Sequence, residues 1–151
     1  EIGLGTNNQD VIGNMGKDGS PGASLRAFRD FCSNATIYGA DIDKRVLFKE
    51  SRIKTYYVDQ TSENSLNQLG NKIGKDFDLI IDDGLHASHA NLKALMFGMK
   101  LLKKGGWLVI EDIEKGAIPI WKLVINVLNR EKYIPYIFEA KFGFLFALKK
   151  N

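Results

Sequence analysis

The sequence predicts an α/β fold: a three-layer α/β/α sandwich built on a mostly parallel seven-stranded sheet that ends in an antiparallel hairpin. Three observations carry that expectation. Apolar runs of strand length alternate with amphipathic stretches of helix length, as in strands joined by helical crossovers. The run 77–81 reads as a continuous apolar, buried central strand. The last two strand-like runs, 133–138 and 142–148, are joined by a short turn at Ala140-Lys141, which allows a hairpin and no crossover.

The elements follow in order. A first strand begins at or before Glu1 and ends near Leu4, and a polar, Gly-rich loop runs over 5–21. A helix is expected over 23–32, with Leu25, Phe28, Phe31 and Cys32 at helical spacing. Strands follow at 36–40 and 53–58, then a helix over 62–73 with Ser62 as its N-cap. After the strand 77–81, the longest helix spans 86–102, and Gly105-Gly106 turns the chain into a strand at 107–110. A helix over 118–128 precedes the final hairpin. Trp107 and Trp121 read as core or interface aromatics.

The 151 residues suit a single domain (1–151) that can bury a real core. A net charge of +3, from 21 basic and 18 acidic residues, is too slight to argue for a nucleic-acid partner, and no basic block stands out. Cys32 is the only cysteine, which excludes an internal disulfide and a thiolate metal cluster and points to a reducing, cytoplasmic setting. No apolar run approaches the ~20 residues that cross a bilayer, and no signal peptide is visible, so no membrane partner is expected. The chain opens at Glu1, without Met, inside an apparent functional strand, so further upstream sequence is expected.

Three groups of residues carry chemistry. The first is Glu1-Ile2-Gly3-Leu4-Gly5-Thr6, an acid followed by Gly-x-Gly at a strand end. Glycines there let the backbone turn sharply and approach a ligand, and the next helix start offers N–H groups to an anion. The dinucleotide fingerprint needs a third glycine where Asn8 stands. The loop that follows is about a dozen residues longer than the common two to six, which suits a binding loop or a surface excursion. The second group is Asp41, 36 residues after Gly5, placed to accept from ribose hydroxyls, with Asp43 as a competitor that caps the next turn. The usual spacing is about 20 residues, and the long loop accounts for the difference. Asp59-Gln60, after the third strand, could hold an adenine amino group or cap the next helix.

The third group is the densest. Asp82, Asp83 and His86 follow the strand 77–81, and Glu111 and Asp112 follow the strand 107–110. In a parallel sheet both ends open on one edge, where ligands bind. Hard oxygen donors of this kind suit Mg²⁺, Ca²⁺ or Mn²⁺ over zinc. Neighbouring strand residues point to opposite faces, so each acidic pair converges only if the backbone turns, for which Gly84 and Gly116 are the candidates. His86 suits a general base, with His89 three positions on as a structural residue or second ligand.

Together, the motifs at 1–5, 39–41, 81–86 and 105–112 resemble the Rossmann-like class I S-adenosylmethionine-dependent methyltransferases. The similarity is to the metal-dependent sugar O-methyltransferases of the macrocin and mycinamicin type. The match runs from Glu1 to about Ile113. The resemblance implies methyl transfer from S-adenosylmethionine to a hydroxyl of a sugar-like small molecule, with a homo-oligomer as a possible assembly. It implies that Asp83, Glu111 and Asp112 hold Mg²⁺ and that His86 is the base. Glu1, Gly3, Gly5, Asp41, Asp59, Gln60 and Asp82 are then the cofactor contacts. Leu85 stands where the family carries Ser, which alters local hydrogen bonding and no implied ligand. A metal-independent methyltransferase and a non-catalytic cofactor-binding module are the alternatives. An NAD-dependent oxidoreductase is opposed by Asn8 and the terminal hairpin, and nucleotide hydrolysis by the lack of a Gly-Lys-Ser/Thr loop.

Overall fold

A computed structural model of the chain describes residues 1–141 and 143–151. In chain order the elements are α1 (Ala23–Phe31), β1 (Ile37–Asp41), β2 (Lys49–Glu50), β3 (Ile53–Tyr57), α2 (Glu63–Ile73) and β4 (Phe77–Asp82). They continue with α3 (Ser88–Leu101), β5 (Leu102–Ile113), α4 (Ile118–Val127), β6 (Tyr133–Ala140) and β7 (Gly143–Lys150). Phe142, expected to open the last strand, lies outside the described residues.

The expected single, mostly parallel seven-stranded sheet is corrected by the observed pairing. One sheet has three strands, in the order β1-β3-β2, and the other four, in the order β4-β5-β7-β6. β1–β3 and β4–β5 are parallel, while β2–β3, β5–β7 and β6–β7 are antiparallel. The two sheets meet at the first few residues. Of the strand expected there, Ile2 alone bridges, pairing in parallel with Ala40 on one side and Asp82 on the other. Gly3 then turns to φ 93°, outside the extended range, and ends the ladder. Ile2 N–H donates to the Ile81 carbonyl and Gly3 N–H to the Ala40 carbonyl, so this short segment stitches the two sheets together.

Two further expectations shift. The Gly105-Gly106 pair does not precede a strand but lies within β5, where Gly105 takes φ 78° and the β4–β5 register slips between Phe77 and Leu79. The run 77–81 is not buried throughout, because Asp78 interrupts it; Asp78 and Leu79 are exposed and burial begins at Ile81.

The helices cover the sheets unevenly. Gly39 and Ala40 point to opposite faces of β1: the Gly39 side meets Leu25 of α1, and Ala40 packs with Leu66 and Leu69 of α2 and Phe97 of α3. Leu108, Ile110, Phe146 and Leu148 form a second core beneath Leu95 of α3 and Trp121 of α4. The reverse face of that sheet carries Leu79, Trp107, Tyr136 and Phe138, all exposed. Phe31, expected on the buried side of α1, is exposed. Ser62 caps α2 as expected, its side chain accepting from Ser65 N–H. Among the described residues, no helix is long and apolar enough to cross a membrane.

Candidate active site

The carboxyl ends of β1, β3 and β4, with the bulge near the end of β5, surround a cavity of about 400 Å³. Asp41, Asp59, Asp83, His86 and Asp112 line it, together with Glu1, Gly3 and Gly5, and Val11, Ile12 and Met15 of the long loop form its apolar wall.

The glycine turn forms one side. Gly3 stands so close to the loop after β4 that a Cβ would run into the Asp83 carbonyl. Gly5, at φ 72°, would place a Cβ against the Met15 thioether. The Glu1 carboxylate accepts from Ser24 Oγ at 2.5 Å. Burial raises the Glu1 pKa, an effect that the Ser24 hydrogen bond opposes.

Asp41 is buried and its carboxylate is engaged: one oxygen accepts from Leu4 N–H at 2.7 Å, the other from Asp43 N–H at 2.8 Å. It clamps the end of β1 to the glycine turn. Asp43 caps the next turn, as its position suggested, and also accepts from Thr6 Oγ1, Asn8 Nδ2 and Arg45 Nε. The Arg45 guanidinium, before all else, holds the Asp43 carboxyl well below its usual range. Asp59 accepts from Thr61 N–H and Oγ1 in a local cap.

Gln60 lines the cavity too and is bonded to Asp82 behind it. Gln60 Nε2 donates to Asp82 Oδ1 at 2.6 Å, and its Oε1 accepts from Leu85 N–H. Asp82 also accepts from Asn91 Nδ2 at 3.0 Å and is almost fully buried. It points inward and does not line the cavity. Burial raises its pKa, with hydrogen bonds from Asn91, Gly84 and Gln60 opposing. Asn91 was not foreseen, although a polar residue among Ala90, Ala94 and Leu95 on the buried side of α3 was a visible signal.

Asp83, His86 and Asp112 converge: one ligand atom from each lies within 4.8 Å of the others, a set able to hold a metal ion. The backbone turns that bring them together occur at His86 (φ 57°) and Asp112 (φ 49°), not at Gly84 or Gly116. Left-handed backbone is uncommon for residues other than glycine and collects at functional sites. A register shift between Ile110 and Ile113 re-aims this part of β5. His86 Nε2 stands 3.8 Å from Asp83 Oδ1. His86 Nδ1 is buried with no hydrogen-bond partner among the described residues. Burial raises the Asp83 pKa; His86 opposes the shift, and Asp112 and Asp82 add to it. Glu111 falls outside the converging set but close to it: burial raises its pKa, as do the charges of Asp83, Glu1 and Asp112. His89 is exposed on α3, apart from the cluster.

No protein-family model matches the chain. It is 31% identical over 122 residues to the 8-demethyl-8-alpha-L-rhamnosyl tetracenomycin-C 2'-O-methyltransferase of Streptomyces olivaceus, a match covering 81% of this chain and 30% of that protein. It is 35% identical over 92 residues to the demethylmacrocin O-methyltransferase of Streptomyces fradiae, covering 61% of this chain and 23% of that one. The chain thus spans less than a third of the length of these curated relatives. Among solved structures, the mycinamycin-pathway methyltransferase MycE, in complex with Mg, SAH and mycinamycin VI, superposes with a TM-score of 0.75 at 22% identity, over 99% of this chain and 43% of that one. In sequence the chain is thus similar to part of these sugar-modifying O-methyltransferases, and in fold it is similar to part of MycE.

Proposed function

We propose that the chain carries the catalytic site of an S-adenosylmethionine-dependent O-methyltransferase acting on a hydroxyl of a sugar-bearing small molecule. The observation that carries this reading is the convergence of Asp83, His86 and Asp112 on the cavity that also holds the Gly3–Gly5 turn. The names of the relatives support the sugar acceptor. The apolar wall at Ile12 and Met15 suits a small organic substrate better than a polyanion.

The donor set fits Mg²⁺. Two carboxylates this close repel each other unless a cation stands between them, and their oxygens are the hard ligands this ion prefers. Asp83 and Asp112 would hold it with Glu111 alongside, and Mg²⁺ bound there would orient substrate oxygens and acidify a hydroxyl. S-adenosylmethionine supplies a methyl group already activated on its sulfonium. The chain therefore has to bind, align and remove one proton. The Gly3–Gly5 turn would let the cofactor approach the backbone, and Asp41 and Asp59, which line the same cavity, would hold its nucleoside end. His86 takes the hydroxyl proton at Nε2, the nitrogen facing Asp83, whose carboxylate then steadies the imidazolium. Alignment accounts for a share of the roughly 7–11 kcal/mol available from well-oriented reactants.

Calorimetric titration with S-adenosylmethionine and with NAD, each with and without Mg²⁺, tests the reading, followed by a panel of glycoside acceptors assayed with and without chelator. The expected result is S-adenosylmethionine binding, no NAD binding, and methyl transfer that stops on chelation while cofactor affinity persists. Cofactor binding without transfer to any glycoside would make the chain a binding module, and NAD binding would overturn the class.

A further inference from the structure

The loop between β4 and α3 carries two of the three converging side chains, Asp83 and His86. Among the described residues, no hydrogen bond holds the His86 ring. Its Nδ1 is buried without a partner, and its Nε2 stands 3.8 Å from Asp83 Oδ1, too far for a hydrogen bond. The place of the ring is therefore set by the backbone beneath it, which turns left-handed at His86 itself, with φ 57°. Such backbone persists at a residue other than glycine only where its surroundings dictate it.

The groups that dictate it lie behind the loop. Three successive loop N–H groups are bonded there: Asp83 N–H to the Ile2 carbonyl at 2.9 Å, Gly84 N–H to Asp82 Oδ1 at 3.3 Å, and Leu85 N–H to Gln60 Oε1 at 3.0 Å. The last two acceptors are themselves fixed. Gln60 Nε2 donates to Asp82 Oδ1 at 2.6 Å and Asn91 Nδ2 to Asp82 Oδ2 at 3.0 Å. The carboxylate is thus gripped at once from the turn after β3 and from α3, and all three side chains are buried. Gly84 leaves them room, since a Cβ there would run into the Gln60 amide oxygen.

A buried carboxylate is costly to a fold, and an apolar residue at the end of β4 would make fewer demands. What the carboxylate adds is direction. An amide has one donating and one accepting end, so Gln60 serves both Asp82 and the Leu85 N–H in a single orientation.

We propose that Gln60 and Asn91 are positioning residues for the Asp83, His86 and Asp112 site. Acting through Asp82 and the Leu85 N–H, they hold the 83–86 backbone in the turn that presents Asp83 and His86 to Asp112. The proposal rests on the reading of that cluster as the metal and proton-transfer site of a methyltransferase, and its test uses no methyl donor, so the two can fail separately.

Gln60→Met in the full chain keeps the length of the side chain and removes both of its hydrogen-bonding ends. With two histidines in the chain, the imidazole resonances are readily followed by NMR, the exposed His89 serving as internal reference. The His86 resonances are expected to move toward those of His89, and the Leu85 amide to exchange at least ~10-fold faster. Affinity for Mn²⁺ alone is expected to fall by ~10–100-fold. Val124→Ala, in the core beneath α4, is the control for general loss of stability: it lowers Tm and leaves all three readouts in place. Asn91→Ala is expected to move them in the same direction as Gln60→Met, and decides the matter if Gln60→Met does not unfold cooperatively. Unchanged His86 resonances in a folded variant, or changes no larger than those of Val124→Ala, would overturn the proposal. So would the failure of both variants to fold, which would make the network a support of the fold alone. A parent chain that binds no Mn²⁺ would sink the metal reading, and the His86 resonances would then decide the positioning by themselves.

Discussion

His86 and Asp112 hold left-handed backbone without being glycine, and each contributes a side chain to the cluster in the cavity. That coincidence gives the residue scale its sharpest tests. Asparagine tolerates this conformation, so His86→Asn removes the imidazole with little backbone cost. It is expected to lower turnover by roughly 10²–10⁴-fold, the usual worth of a general base, while calorimetry shows unchanged S-adenosylmethionine affinity. An equal loss of both would assign His86 to binding. Gly3→Ala is a different kind of test. Its φ of 93° and the Asp83 backbone beside it leave no room for a methyl group. A loss of more than ~1 kcal/mol is expected, read as a lower urea midpoint together with weakened cofactor binding. At this scale most of the residues that the sequence singled out line the cavity, because acids and glycines at strand ends are local features. It did not reveal that Asp82 and Gln60 bind each other, since the identity of a residue says nothing of which way it turns at a strand end.

The loop between Gly5 and Pro21 is the least regular element, yet it is tied down. Asp43, at the turn after β1, accepts from Thr6 and Asn8 at the root of the loop, and Arg45 reaches Asp10 further along. These bonds hold the root of the loop that carries Ile12 and Met15 over the cavity. The lowered Asp43 pKa makes the tie dependent on pH. A carboxyl whose folded pKa is depressed adds stability above its unfolded pKa and loses it as pH falls below that value, here below about 4. Asp43→Asn is therefore expected to speed amide exchange across the loop at neutral pH and to flatten the fall of Tm below pH ~4. Exchange and acid profiles identical to those of the parent chain would show the tie to be idle. The glycine spacing gave the loop its place in the sequence reading, but Asp43 there was only a cap, because its bonds to Thr6 and Asn8 span 37 and 35 residues.

Across the whole molecule, stability rests on the core beneath α3 and α4. Trp121 is almost fully buried and packs on Phe146 with ring centroids 4.6 Å apart. Trp121→Ala is expected to cost roughly 3–5 kcal/mol, seen as a large drop in denaturation midpoint. Trp107, on the open face of the same sheet beside Tyr136, is a counterpart whose replacement should change the midpoint far less. The sequence alone did not distinguish the two tryptophans, because burial depends on which face a helix covers.

By itself the sequence determined the order of the helices and of every strand after the first but the short β2, the hairpin at the end, and the acids and glycines available at the strand ends. Periodicity, caps and turns are written within a few residues of one another. Tertiary structure alone decided how the strands divide into two sheets, that His86 joins Asp83 and Asp112 while Glu111 stands beside them, and that Asp82 turns inward to Asn91 and Gln60. Those outcomes depend on backbone turns at His86 and Asp112 and on contacts between distant segments, where packing and hydrogen bonding settle directions that local spacing leaves open.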